Sequence, residues 1–168
     1  MLSPIILRQS LTSVKTPTEL LRWLDSNVAY NGVNKGRVWT PVEVVRERKG
    51  HCWETAELAA VSLRRMGFEC EILYIQSKGC VVTHSTVIYC DGKGHWYWFE
   101  WAWGKAEGVH GPYRSRREAV VQVINAFAAD NGRPEKIRIG PGGIVEGWSE
   151  LDYIQNVDSW TNVDSWSM

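Results

Sequence analysis

Between Gly50 and Gly67 the chain reads GHCWETAELAAVSLRRMG. Ala56, Ala59, Ala60, Leu63 and Met66 recur at helical spacing, so Cys52 to Met66 predicts the strongest helix in the chain. Small residues on that stripe let the helix press close against a sheet. Gly67 stands where a helix ends on a left-handed residue. Cys52 therefore sits at the mouth of the helix. Unpaired backbone N–H groups and the helix dipole at that end favour a thiolate. The thiolate is the nucleophilic form, and the same N–H groups can steady an oxyanion.

Outward from this helix, Phe68 to Gln76 (FECEILYIQ) predicts a strand and Val81 to Cys90 (VVTHSTVIYC) a second. Asp91-Gly92-Lys93-Gly94 is a turn, and His95 to Trp103 is a third strand. So short a connection makes the second and third antiparallel. Upstream, Thr16-Pro17-Thr18-Glu19 and Thr40-Pro41-Val42-Glu43 each carry a capping Thr, a Pro at the first helical position and a Glu that closes a capping box. They open helices to about Ala29 and about Arg48, separated by a glycine-containing loop, Tyr30 to Arg37. Downstream, Ser115-Arg116-Arg117-Glu118 opens a helix with Ala119, Val120, Val123, Ile124 and Phe127 on one side, stopped by Asn131-Gly132. Lys136 to Ile139 reads as a short edge strand, and Gly140 to Gly143 as a loop without a phosphate-loop lysine. Helices first, then a sheet, then a helix upon it is an α+β layout.

The chain has 168 residues, enough for one ordinary domain, read here as residues 1–150. A tail follows over 151–168, where NVDSW occurs at Asn156–Trp160 and again at Asn162–Trp166, too few copies for a solenoid. Lys plus Arg and Asp plus Glu both number 19, which argues against a dedicated nucleic-acid binder. No apolar run approaches a membrane span, and Met1 to Ser10 lacks the basic start of a secretory signal, so a cytoplasmic protein is expected. Of the four cysteines, none forms a C-x-x-C pair, and Cys70, Cys80 and Cys90 read as packing residues. Four of the ten tryptophans crowd into Trp96 to Trp103 (WYWFEWAW), which predicts a strand buried on both faces.

Glu100 is the only acid in that aromatic run. A buried carboxylate costs several kcal/mol unless it is paired, so it needs a donor close by. The hairpin supplies one if Gly92-Lys93-Gly94 forms a three-residue turn. Residues 91 and 95 then pair, His84 faces Ala102, and Glu100 lies one diagonal step away on the same face. A two-residue turn would send Glu100 to the opposite face. Cys52, His84 and Glu100 together supply a nucleophile, a base and an orienter. His51 points away from its helical neighbour and reads as a surface or cleft-wall residue, not the base.

At these residues the chain resembles the transglutaminase-like superfamily, whose members share a papain-like core. The likeness is carried by Gly50-His51-Cys52, by Leu63-Arg64-Arg65-Met66-Gly67, by Thr83-His84-Ser85 and by Tyr97-Trp98-Phe99-Glu100. It spans roughly residues 16–103. The resemblance implies that Cys52 is the nucleophile, His84 the base and Glu100 the third member, where the family usually has Asp. It implies a Trp or polar side chain at the oxyanion hole or substrate cleft, for which Trp53, Trp39 and Tyr30 are candidates. The segment after Trp103 is expected to lie outside the common core and pack on it. No acidic loop suggests calcium, and no metal or other cofactor is expected.

The expected function is cysteine-dependent acyl transfer on an amide or isopeptide in a protein or peptide, through a thioester. Hydrolysis, as peptidase or deamidase, is preferred, because a chain this small has little surface to hold a protein-sized acceptor. The alternatives are a crosslinking transglutaminase and a non-catalytic binding module of the same fold. An arylamine acetyltransferase has less support, and an effector modifying one host protein is permitted without being demanded.

Overall fold

The computed structural model describes residues 9–31, 37–77, 83–132, 137–142 and 161–162. Both threonine-led helix starts form as expected. In α1 (Pro17–Asn27) the Thr16 hydroxyl accepts the Glu19 N–H at 3.2 Å while the Glu19 carboxylate accepts the Thr16 N–H at 3.0 Å. Thr40 and Glu43 repeat this box at the start of α2 (Pro41–Glu47), which Arg48 ends in the left-handed region. Two short strands, β1 (Ala29–Tyr30) and β2 (Lys49–Gly50), pair in parallel and lead into α3 (Cys52–Arg65). Gly67, with φ +92°, closes α3 as its sequence position requires.

The main sheet runs in the order β6–β5–β4–β3–β7–β8, with every neighbouring pair antiparallel. Its strands are β3 (Glu69–Ser77), β4 (Thr83–Cys90), β5 (Trp96–Glu100), β6 (Gly108–Tyr113), β7 (Ile137–Pro141) and β8 (Thr161–Asn162). Helix α4 (Arg116–Asn131) lies between β6 and β7 in sequence. Strand alternation divides the core in two. Ile72, Val87, Tyr89 and Phe99 face Ala56, Ala59, Ala60 and Leu63 of α3. Leu73, Ile75, Ile88 and Trp98 face Ala119, Val120, Val123, Ile124 and Phe127 of α4. The fold is therefore α+β, with the cysteine-bearing helix on one side of an antiparallel sheet and the C-terminal helix on the other. Among the described residues no helix is long and apolar enough to cross a membrane.

Three expectations need correction. The aromatic strand stops at Glu100 and does not run to Trp103, because the Glu100 carboxylate accepts the Trp103 N–H at 3.1 Å and turns the chain. Gly108–Tyr113 adds a strand next to β5 that glycine and proline disguise. β7 is not an edge, since Arg138 and Ile139 pair with Asn162 and Thr161. Apart from those two residues, the duplicated NVDSW tail lies outside the described residues, as does Cys80.

Candidate active site

The start of α3 is built by side chains that cap it. His51 is the N-cap, and its imidazole Nδ1 accepts the Trp53 N–H at 3.1 Å. The buried Glu54 carboxylate accepts the His51 N–H at 3.1 Å and, with its other oxygen, the Trp39 N–H at 2.7 Å. One carboxylate thus fixes both the helix start and the loop before it. Replacing Glu54 with alanine takes the acceptor from two amides, and stability is expected to fall by about 2–3 kcal/mol. A lower urea midpoint at unchanged slope would register this.

The hairpin adopts the even register. Gly94 takes φ +85°, Asp91 N–H bonds the His95 carbonyl at 2.9 Å, and the ladder pairs Tyr89 with Tyr97 and Val87 with Phe99. His84 and Glu100 consequently share a face, and His84 Nε2 lies 2.7 Å from Glu100 Oε2. Both side chains are buried. The carboxylate's other oxygen is held by the Trp103 N–H. The imidazole is packed edge-on against Trp103, with ring centroids 5.7 Å apart, and stacked on Phe127 of α4 at 6.3 Å. With Nε2 committed to the carboxylate, Nδ1 remains to serve the thiol. Cys52 comes from the other side of the sheet and meets His84 where β4 begins and β5 ends. Its half-buried thiol lies close enough to His84 and His51 for both rings to lower its pKa. The structure thus brings Cys52, His84 and Glu100 into one cluster.

The family model of the transglutaminase-like superfamily matches residues 3–101. The chain belongs to the transglutaminase-like superfamily. Its members include cysteine-dependent enzymes, and the papain-like core of the superfamily is the fold seen here. Among solved structures, the chain is similar to a Cytophaga hutchinsonii protein proposed to be a cysteine protease, at 16% identity and a TM-score of 0.44. The match covers 83% of this chain and 45% of that one, so the chain spans less than half the length of this structural relative. No curated protein matches the sequence.

In this transglutaminase-like domain the electrostatics of the cluster favour an ion pair. Loss of solvent pushes the Cys52 thiol up, but the neighbouring His51 and His84 rings, with the charge on His84, bring it down to about 7. Burial pushes His84 down, yet the Glu100 carboxylate and the Cys52 sulfur hold its proton and raise it to about 10. Between these values the cluster is thiolate and imidazolium. The sign follows: alkylation proceeds through the thiolate, so its rate rises with pH through the thiol's pKa. Iodoacetamide labelling of Cys52 is expected to reach half its plateau near pH 7, against about 8.5 for an ordinary thiol. His84→Ala should move that midpoint upward.

The other sequence candidates fare differently. Trp53 is a correction: one residue beyond Cys52, its side chain turns into the core, 1% exposed and 5.4 Å from the Tyr74 ring. Trp39 is partly buried against the core on the α3 side, and its backbone N–H is the part that Glu54 holds. Tyr30 is 55% exposed and tilts against Trp101 at 6.4 Å. Trp101, which motif reading passed over, lines the cleft beside Cys52 and donates its indole N–H to Asp25. His51, expected on the surface or cleft wall and not as the base, is the helix cap, and its ring helps to lower the pKa of the Cys52 thiol. Its signal was available in its position directly before a helix start, but imidazole is not among the usual capping side chains. Among the described residues no group of three or more His, Cys, Asp or Glu side chains is placed to hold a metal ion.

Proposed function

We propose that the protein hydrolyses an amide or isopeptide bond in a protein or peptide through a Cys52 thioester. The observation that carries this reading is the buried His84–Glu100 pair at 2.7 Å, with the Cys52 thiol close enough for His84 to lower its pKa. The Cys52 thiolate adds to the amide carbon, and the carbonyl oxygen becomes an oxyanion. The Cys52 backbone N–H, at the mouth of α3, is positioned by its place in the first turn to donate to that oxygen. Trp53 N–H is already taken by His51. His84 then gives its Nδ1 proton to the leaving nitrogen, the C–N bond breaks, and a thioester remains. Water attacks the thioester as Nδ1 takes a proton back, and the thiolate leaves. Glu100 keeps the other proton on Nε2 throughout, so the ring never turns the wrong nitrogen to the sulfur.

An amine in place of water would give a crosslink from the same thioester, and a non-catalytic module would give neither. Incubation of the chain with a protein extract, beside a portion blocked at Cys52 with iodoacetamide, separates these outcomes by mass spectrometry. Hydrolysis is expected to appear as new termini or as side-chain amides converted to acids, only with the unblocked chain. Conjugates formed with loss of ammonia would replace the hydrolase reading with crosslinking. Identical spectra would remove the enzymatic one.

A further inference from the structure

Directly behind Cys52 the sheet comes apart. The β4–β5 ladder ends at Val87 and Phe99; the register would continue to Thr86 with Glu100 and Ser85 with Trp101, and neither pair is formed. The gap that opens lies between this split and the small-residue face of α3. Its volume is about 10 Å³, and its walls include Cys52, Thr55, Ala56, Ser85, Val87 and Phe99. That is room for about one water molecule. Ser85 is 1% exposed, yet its hydroxyl has no hydrogen-bond partner among the described residues. A buried hydroxyl with no partner is costly, and native structures rarely leave one so.

We propose that this gap binds a water molecule, held by the Ser85 hydroxyl and donating a hydrogen bond to the Cys52 sulfur, and that Ser85 thereby acts as a positioning residue for the thiolate. The donors and acceptors are complete. Ser85 Oγ–H donates to the water. Thr55 Oγ1 already gives its own hydrogen to the His51 carbonyl at 2.8 Å, so it can only accept one here. The water's two hydrogens therefore go to Thr55 Oγ1 and to the sulfur, making about three bonds in all, as is usual for a buried water. His84 is not among the side chains lining the gap. The water is thus a donor to sulfur and not the attacking nucleophile of the second half-reaction.

The inference rests on the reading of Cys52 as the reactive thiolate, and the test keeps the two apart. The pH profile of iodoacetamide labelling at Cys52 is measured for the wild-type chain, Ser85→Ala and Ser85→Thr. With the water's anchor gone, Ser85→Ala should shift the half-labelling pH upward by about 0.5–1 unit, since a hydrogen bond to a charged group is among the stronger ones. Ser85→Thr keeps the hydroxyl while its added methyl group competes with the water for the gap, so its midpoint should fall between those of Ser85→Ala and the wild type. A Ser85→Ala profile that superimposes on the wild type overturns the proposal, even if the variant melts at a different temperature. A wild-type midpoint near that of an ordinary thiol overturns both this proposal and the active-thiol reading. Independently, a high-resolution crystal structure should show a solvent peak between Ser85 Oγ and Cys52 Sγ, and a peak-free gap there would count against the site.

Discussion

Cys52→Ala is expected to remove at least about 10³-fold of kcat/KM while leaving the fold intact. The loss is large because nothing else in the cluster can form the covalent intermediate. His84 and Glu100 are committed to each other at 2.7 Å. The fold should survive because the capping of α3 belongs to His51 and Glu54, neither of which depends on the sulfur. Alanine is also the better helix former, so the thermal midpoint should move by no more than a few degrees. Cys52→Ser should be almost as inactive, since the setting that lowers a thiol to about 7 leaves a hydroxyl far above neutrality. The labelling experiment gives the same answer by another route. Burial raises the Cys70 and Cys90 thiols, so among the described thiols Cys52 alone should react quickly near pH 7. Activity in Cys52→Ala above about a tenth of wild type would mean that the thiol is not the nucleophile.

What could be read from the chain was whatever rests on local stereochemistry. The boxes at Thr16 and Thr40 need only a hydroxyl, a Pro and a Glu three residues on, and all three lie within one turn. The hairpin register depends on one glycine accepting φ +85° at residue 94, and that choice puts His84 and Glu100 on the same face. Glu100 was legible for a different reason: a lone acid in an aromatic run has few ways to be satisfied. The features that escaped reading depend on distant parts of the chain. Nothing near His84 in sequence reveals that Phe127 of α4, expected outside the common core, stacks on its ring. β6 is hidden by Gly108, Gly111 and Pro112, residues that suggest a loop until β5 offers them a partner. The turn after Glu100 arises from the carboxylate's second oxygen, a contact the strand pattern of WYWFEWAW cannot encode.

That second oxygen makes Glu100→Gln the sharper test of the cluster. The carboxylate accepts twice, from His84 Nε2–H on Oε2 and from the Trp103 N–H on Oε1. An amide offers only one accepting oxygen. If that oxygen stays with His84, the amide's NH2 group meets the Trp103 N–H, donor against donor. If it stays with Trp103, the NH2 group faces Nε2, which must then accept, and the ring proton moves to Nδ1. In that tautomer His84 cannot take the thiol proton. Both arrangements also lose the negative charge that holds His84 protonated, so the thiolate loses its partner. A loss of about 10²–10⁴-fold in kcat is expected, together with a half-labelling pH for Cys52 that climbs towards the ordinary thiol value. Glu100→Ala should add instability of about 3 kcal/mol, because it leaves a buried imidazole without its counter-charge. A purely structural Glu100 predicts the reverse: Glu100→Gln, nearly the same shape, would melt slightly earlier yet keep both its turnover and its labelling profile.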